Sequence, residues 1–258
     1  MAEAAIRVER RGGVVRCTLD RPPLNLFEPG LIAALRGTFE TLAADPTVRL
    51  AVLTGAGRAF TGGMNVGVLR DLDAAGATGL ITALHDAIAA VHTAPFPVVA
   101  AVNGHALGAG FELALACDLR IAAVEATFGL PEVRVGVPSV IQAALLPPLI
   151  GPGRAAELLL TGASIGAPQA LAWGLVNRVV ERAELDTAVD AVVDAIIACA
   201  PGAVRLQKQL IVRWRESDLP GAIRAGIAAF AASYATGEPR EGAAAFLEKR
   251  APRFGEPR

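Results

Sequence analysis

Apolar and polar residues alternate over 6–9 and 14–20 with Gly12-Gly13 between them, a pattern that predicts a β-hairpin. Arg21-Pro22-Pro23-Leu24-Asn25 ends the second strand, because proline has no backbone N–H to give to a ladder. The spacing then changes. Leu31, Ala34, Leu35, Phe39 and Leu42 recur at helical intervals and predict a helix from about 29 to 44. A short buried strand at 48–53 leads into a loop over 54–67 that holds five glycines. A helix over 78–91, a strand over 97–102 and a turn at Asn103-Gly104 follow.

The alternation continues with a short helix at 108–116 and a strand at 119–123. Helical segments are expected at 140–150, 153–160 and 168–173, with a strand at 176–180. From Leu185 onward the pattern is almost entirely helical. Strands alternating with helices argue for an α/β fold with parallel strands joined by helical crossovers. No low-complexity linker and no short internal repeat stands out. The helical tail beyond about residue 200 carries large apolar faces, so it is expected to pack on the core or on another subunit.

Composition narrows the function classes. The chain is 53% hydrophobic, with mean hydropathy +0.46, mainly through alanine and valine. The apolar stretches at 95–118 and 135–151 are broken by prolines, glycines or polar residues, so neither reads as a membrane span of about 20 residues. The charged N-terminus has no signal-peptide core, and a cytoplasmic protein is expected. A net charge of −1, without a long basic run, argues against nucleic acid as a partner. Cys17, Cys117 and Cys199 lie far apart and are odd in number, so reduced, buried thiols are expected and no metal cluster or disulfide framework.

Two glycine-rich loops follow successive buried strands, at 55–65 and 103–112. Small residues let a ligand approach the backbone, and a helix start offers unpaired N–H groups with partial positive charge. A strand, a tight loop and a helix N-terminus make an anion or oxyanion site, although Gly-Xaa-Gly alone marks a tight turn as readily. Gly108-Ala109-Gly110 is no dinucleotide fingerprint, since position 113 is Leu, and no Gly-Lys-Ser/Thr follows to make a P-loop. Glu112 is sharper. It sits inside Phe111-Glu112-Leu113-Ala114-Leu115, where a buried carboxylate costs several kcal/mol unless paired, hydrogen-bonded or protonated. Glu132 lies in a similar apolar setting, Leu130-Pro131-Glu132-Val133. Two such carboxyls suit acid–base chemistry, whereas the structural alternatives are a helix-start carboxylate for Glu112 and a cap or an Arg134 ion pair for Glu132.

The stretch 103–118 followed by 127–136 is similar to the signature of the enoyl-CoA hydratase/isomerase (crotonase) family. Arg21-Pro22-Pro23-Leu24-Asn25 resembles that family's Arg-Pro-x-x-x-Asn segment, and Phe60-Thr61-Gly62-Gly63-Met64-Asn65 its Phe-x-x-Gly-x-Asp loop. Leu160-Thr161-Gly162, the segment 170–180 and Phe246-Leu247-Glu248-Lys249-Arg250 extend the likeness over nearly the whole chain. The resemblance implies a superhelix of repeated ββα units over 1–199, with a C-terminal helical trimerisation region over 200–258. It implies homotrimers or dimers of trimers.

By the same resemblance the substrate is an acyl-CoA thioester and no cofactor is needed, CoA being part of the substrate. The backbone N–H groups of Met64 and Ala109 form the oxyanion hole. Glu112 and Glu132 match the two glutamates with which hydratases handle one water, and family members that only shift double bonds commonly lack the first. Pro23, Leu24, Phe60, Gly62 and Gly108 are expected along the CoA and acyl path. Lys249 is read either as a contact to a CoA phosphate or as an ordinary solvated lysine. His105 is read as a spacer.

Two departures stand out. Asn65 replaces the family's aspartate, and Pro138-Ser139-Val140-Ile141-Gln142 replaces a Pro-Gly-x-Gly-Gly stretch, so Val140 and Ile141 are expected to narrow the acyl pocket. The expected reaction is hydration of a 2-enoyl-CoA. The alternatives are isomerisation, thioester hydrolysis or decarboxylation on the same scaffold, or a non-catalytic acyl-CoA-binding subunit.

Overall fold

The computed structural model describes residues 5–254. The hairpin forms as β1 (Ile6–Arg11) and β2 (Val14–Leu19), and α1 (Pro29–Ala44) carries the chain across to β3 (Leu50–Gly55), parallel to β2. From there one unit recurs: a strand in a large sheet, a three-residue strand in a small one, then helix. β3 is followed by β4 (Ala59–Thr61), the short α2 (Val66–Leu69) and α3 (Ala74–His92). Next come β5 (Val98–Val102), β6 (His105–Leu107) and α4 (Ala109–Ala116). The third unit holds β7 (Leu119–Ala123), β8 (Thr127–Gly129), two 3-10 segments (Pro131–Val135 and Ile141–Leu145), α5 (Leu146–Ile150) and α6 (Pro152–Thr161). After β9 (Ser164–Gly166), α7 (Ala167–Ala172) and β10 (Arg178–Val180), the sheets read β1-β2-β3-β5-β7-β10 and β4-β6-β8-β9. Four helices end the chain: α8 (Leu185–Ile197), α9 (Pro201–Arg215), α10 (Leu219–Ser233) and α11 (Glu238–Leu247).

Strand alternation explains why the central strands are apolar on both faces. Ala51, Leu53, Val98, Ala100, Val102 and Ala122 point into the main core with α1, α3 and α4. Their neighbours Leu50, Val52, Val99, Ala101, Ile121 and Ala123 point the other way, against Leu185, Val189 and Val193 of α8. A parallel sheet covered on both sides needs such continuous apolar runs. α3 is long and apolar enough to cross a membrane, with mean hydropathy 1.4. Its second half packs one face on the main core, with Leu84, Ala87, Ile88 and Val91 buried there.

The small sheet is the main difference from the sequence reading. Its four strands are three residues each, too short for alternation to show; β4 and β6 lie in segments read as glycine-rich loops, and β8 and β9 in stretches read as no element. The recurrence of strand–strand–helix is therefore visible in space and not in the sequence. The segment at 140–150, expected as one helix, opens with a 3-10 turn before α5. Cys17 and Cys117 are buried free thiols as expected, but Cys199 is exposed, because it follows the last turn of α8 at the edge of the core.

Buried polar groups tie distant segments together. Asn25, fully enclosed at φ 52, accepts from the Arg21 N–H and donates to the carbonyls of Ala56, Ala59 and Phe60. Arg120, also buried, donates to the carbonyls of Ala114 and Cys117 at the C-terminal end of α4 and to that of Leu175. Lys208 of α9 is 2% exposed and lies 2.8 Å from Asp118 Oδ1, while Asp118 Oδ2 also accepts from the Val98 N–H. Removing one partner of a buried ion pair strands the other charge, at a cost of about 3–5 kcal/mol. Lys208→Ala is therefore expected to lower the unfolding free energy by about that amount, read as a fall in the urea midpoint. A midpoint within error of the parent would show that this pair does not anchor the helical tail.

Candidate active site

The two glycine-rich loops meet where β4 and β6 run side by side. Gly63 takes φ +87, and a Cβ there would run into the Leu107 carbonyl and stand 3.4 Å from the Ala109 nitrogen. Only glycine allows that approach. It brings the Met64 turn against the start of α4. Among the described residues, the Met64 and Ala109 N–H groups have no acceptor. Both residues line one cavity, and Ala109 stands at the first position of α4, where the helix dipole adds positive potential.

That cavity, of about 450 Å³, also receives both glutamates. Glu112 is 3% exposed and one helical turn into α4. Burial, and then repulsion from Glu132, push its carboxyl up to about 8, opposed by backbone hydrogen bonds from Ala143 and Val140. The Ala143 N–H lies 3.3 Å from Glu112 Oε1. Glu132 comes from the first turn of the 3-10 segment after β8. Its Oε2 accepts from Ser139 Oγ at 2.7 Å, and its Oε1 lies so close to Gly108, at φ +53, that a Cβ there would be 2.9 Å away. The Arg134 pairing weighed from sequence does not form, since Arg134 donates to the Thr161 carbonyl.

Apart from Thr78 and Arg134, the rest of the wall is apolar, with Leu80, Ile81 and Leu84 from α3, Val66 and Leu69 from α2, and Val137 and Val140 from the loop after Glu132. Gly62 lines the same cavity, and the space over it is bounded by Leu24 and Leu26. Pro23 and Leu24 line an adjoining groove of about 400 Å³ together with Arg21 and Glu28. Two expected positions are corrected. Phe60 is wholly enclosed in the core, because β4 turns its side chain inward and leaves only its carbonyl for Asn25. Ile141, at φ 42, packs against the core rather than lining the cavity, so Val140 alone projects there. Lys249 follows the end of α11 and is exposed.

His105 hydrogen-bonds Thr127 Oγ1 and does not line the cavity, which fits a spacer. Asn65 caps α2, accepting from the Gly67 N–H and donating to Glu28 Oε1 at 2.6 Å. Sequence reasoning missed Ser139, noted only as a departure from glycine. It also missed Arg134 as part of the cavity wall, where its place between Val133 and Val135 carried no signal.

Comparison with known proteins agrees with this layout. The chain is 35% identical to a crotonyl-CoA hydratase of Syntrophomonas wolfei, over 98% of this chain and 99% of that one. It is 37% identical to a probable enoyl-CoA hydratase of Mycobacterium tuberculosis, again over 98% and 99%. The crystal structure of an enoyl-CoA hydratase from Mycobacterium smegmatis superposes with a TM-score of 0.95 at 34% identity, covering 98% of this chain and all of the other. The family model described as enoyl-CoA hydratase/isomerase matches residues 9–257. With fold, length and sequence in agreement from end to end, the chain belongs to the enoyl-CoA hydratase/isomerase family.

Proposed function

We propose that the protein is an enoyl-CoA hydratase, adding water across the 2,3-double bond of a 2-enoyl-CoA to give a 3-hydroxyacyl-CoA. The observation that carries this reading is the convergence of two glutamates and two unpaired N–H groups on one apolar cavity. The thioester oxygen sits between the Met64 and Ala109 N–H groups, which draws electron density from the double bond and leaves Cβ open to attack. One carboxylate takes a proton from water as the new C–O bond forms at Cβ. The π electrons move to the thioester oxygen, giving an enolate held by the two donors. The enolate then takes a proton at Cα from the other carboxyl.

Glu112, at about 8, holds a proton near neutral pH, which provides the acid that this exchange needs. One turnover moves the proton from one member of the pair to the other. These steps are one nucleophilic addition and two proton transfers with no net change of oxidation state, so the reading calls for no cofactor beyond the CoA carried by the substrate. Pro23, Leu24 and Gly62 flank its route, and Gly108 lets Glu132 approach the thioester.

Self-assembly as a homotrimer or a dimer of trimers belongs to the same proposal. No residue of α10 is buried, and Leu219, Ile223, Ile227 and Phe230 recur on it at spacings of three and four, continued by Tyr234 just past its end, forming one exposed apolar stripe. Such a stripe is more than a monomer ordinarily leaves in water.

Three outcomes test these statements. Purified protein should consume crotonyl-CoA, followed as loss of enoyl-thioester absorbance. Glu112→Gln and Glu132→Gln should each slow turnover by about 10²- to 10⁴-fold, with acyl-CoA binding retained. A wild-type rate in either variant removes that residue from the chemistry.

The second concerns pH. Glu112 titrates near its ordinary 4.5 when unfolded and near 8 when folded, so stability falls as pH rises through that window. Glu112→Gln has no proton to lose. Its Tm should exceed the parent's at pH 8.5, and the gain should shrink toward zero near pH 4.5. An equal gain at both values would show that the buried charge is not its source.

Third, Ile227→Glu combined with Phe230→Glu should reduce the particle to a single chain by light scattering. An unchanged mass rules this stripe out as the contact.

A further inference from the structure

Glu132 is held by a contact that the proposed reaction does not itself require. Its Oε2 accepts from Ser139 Oγ at 2.7 Å, while its Oε1 faces Gly108, next to the Ala109 N–H. Ser139 is half-buried, in the loop between the two 3-10 segments, and three of its loop neighbours, Val137, Pro138 and Val140, line the cavity. Its side chain has no other hydrogen-bond partner among the described residues. The two oxygens of one carboxyl are thus distinguished by their surroundings. One is tied back to the protein, and the other stands at the edge of the oxyanion site.

We infer that Ser139 is a positioning residue, which occupies Glu132 Oε2 so that Oε1 alone exchanges the proton with substrate or water. The inference rests on the hydratase reading and deepens it. A carboxyl free to rotate presents either oxygen, in several orientations, to a reacting carbon. Fixing one oxygen removes that freedom before the substrate arrives, and orientation of this kind acts on the chemical step more than on binding. Glycine at this position, as in the family's usual stretch, has no side chain to do this, so the device belongs to this chain's own Pro138–Gln142 segment.

The same loop serves the other acid. The Ala143 N–H, four residues further on, donates to Glu112 Oε1. The segment from Ser139 to Ala143 therefore supplies Ser139 to Glu132 and the Val140 and Ala143 amides to Glu112, and sets the relative placement of the two carboxyls.

The test compares Ser139→Ala with Ser139→Thr, which keeps the hydroxyl. A hydrogen bond to a charged group is worth about 1.5–3 kcal/mol, so Ser139→Ala should lower kcat on crotonyl-CoA by roughly 10- to 100-fold. KM and thermal midpoint should stay close to the parent values, and Ser139→Thr should recover most of the loss. A parallel assay follows deuterium entering Cα of butanoyl-CoA in D2O, in which one C–H bond breaks and one C–D bond forms without any hydration. If the parent exchanges this proton but does not hydrate crotonyl-CoA, the hydratase reading falls while the role of Ser139 is still measured. Parental rates for Ser139→Ala in both assays overturn the inference. So does an equal loss in both variants accompanied by a lower thermal midpoint, which marks a structural residue.

Discussion

Two carboxyl groups in one apolar wall cannot both carry charge cheaply, and much of the local structure follows from that constraint. Glu112 lies in a helix turn where every neighbour is apolar, with Glu132 across the cavity. Burial and like-charge repulsion both favour the protonated form. Left there, the group would be inert near neutral pH. The opposing influence comes from backbone N–H groups of Ala143 and Val140, supplied by a loop in which the β-branched Ile141 adopts φ 42. A branched side chain in the left-handed region costs on the order of 1–3 kcal/mol. The strain sits between the two residues whose amides reach Glu112. It is the local cost of keeping the charged form within reach.

The sheets make this possible by fixing strand ends rather than by providing chemistry. β4 and β6 run parallel in the small sheet, and each continues into a residue whose N–H faces the cavity. Because β3 and β5 are also neighbours in the large sheet, the spacing of the two donors is set twice over. Asn25 reinforces it by binding the Ala56 carbonyl of the loop between β3 and β4 and the Ala59 and Phe60 carbonyls of β4. The carbonyls at the far end of α4 are held by Arg120. A helix gripped at its C-terminal end and abutted by Gly63 at its start has little room to shift, so the oxyanion donors are set before any substrate binds.

The large sheet and its helices were legible in the sequence because their apolar runs exceed the length of one turn. The strand at 119–123 and the helix at 29–44 match the structure residue for residue. The small sheet was hidden because a three-residue strand bordered by glycine has the composition of a loop. Glu112 could be found from its own neighbours, since a carboxylate inside Phe-Glu-Leu-Ala-Leu contradicts the surrounding pattern. Glu132 gave a weaker signal from its apolar neighbours, because a glutamate after proline at a helix start is also an ordinary cap, and the resemblance sharpened it. Lys208 left no trace, its partner Asp118 being 90 residues away. Phe60 misled because a motif gives the position of a side chain along the chain and not the face it turns to. Ile141 misled in the same way: a bulky residue in place of glycine was expected to fill the pocket, but a positive φ directs it to the core.

Asn65 shows how a departure from the family pattern can serve the same electrostatic end. Its position adjoins Met64, the first oxyanion donor, and Glu28 Oε1 lies 2.6 Å from its amide nitrogen. Aspartate there would set two carboxylates face to face, raising negative potential beside the N–H that must hold an enolate oxygen. The amide keeps the cap on α2 through Oδ1 and satisfies Glu28 through Nδ2. Neither contact adds charge. A site that works by spreading a developing negative charge over two main-chain dipoles gains from every anion kept out of their neighbourhood, and at this position the exchange of one oxygen for an NH2 group accomplishes that.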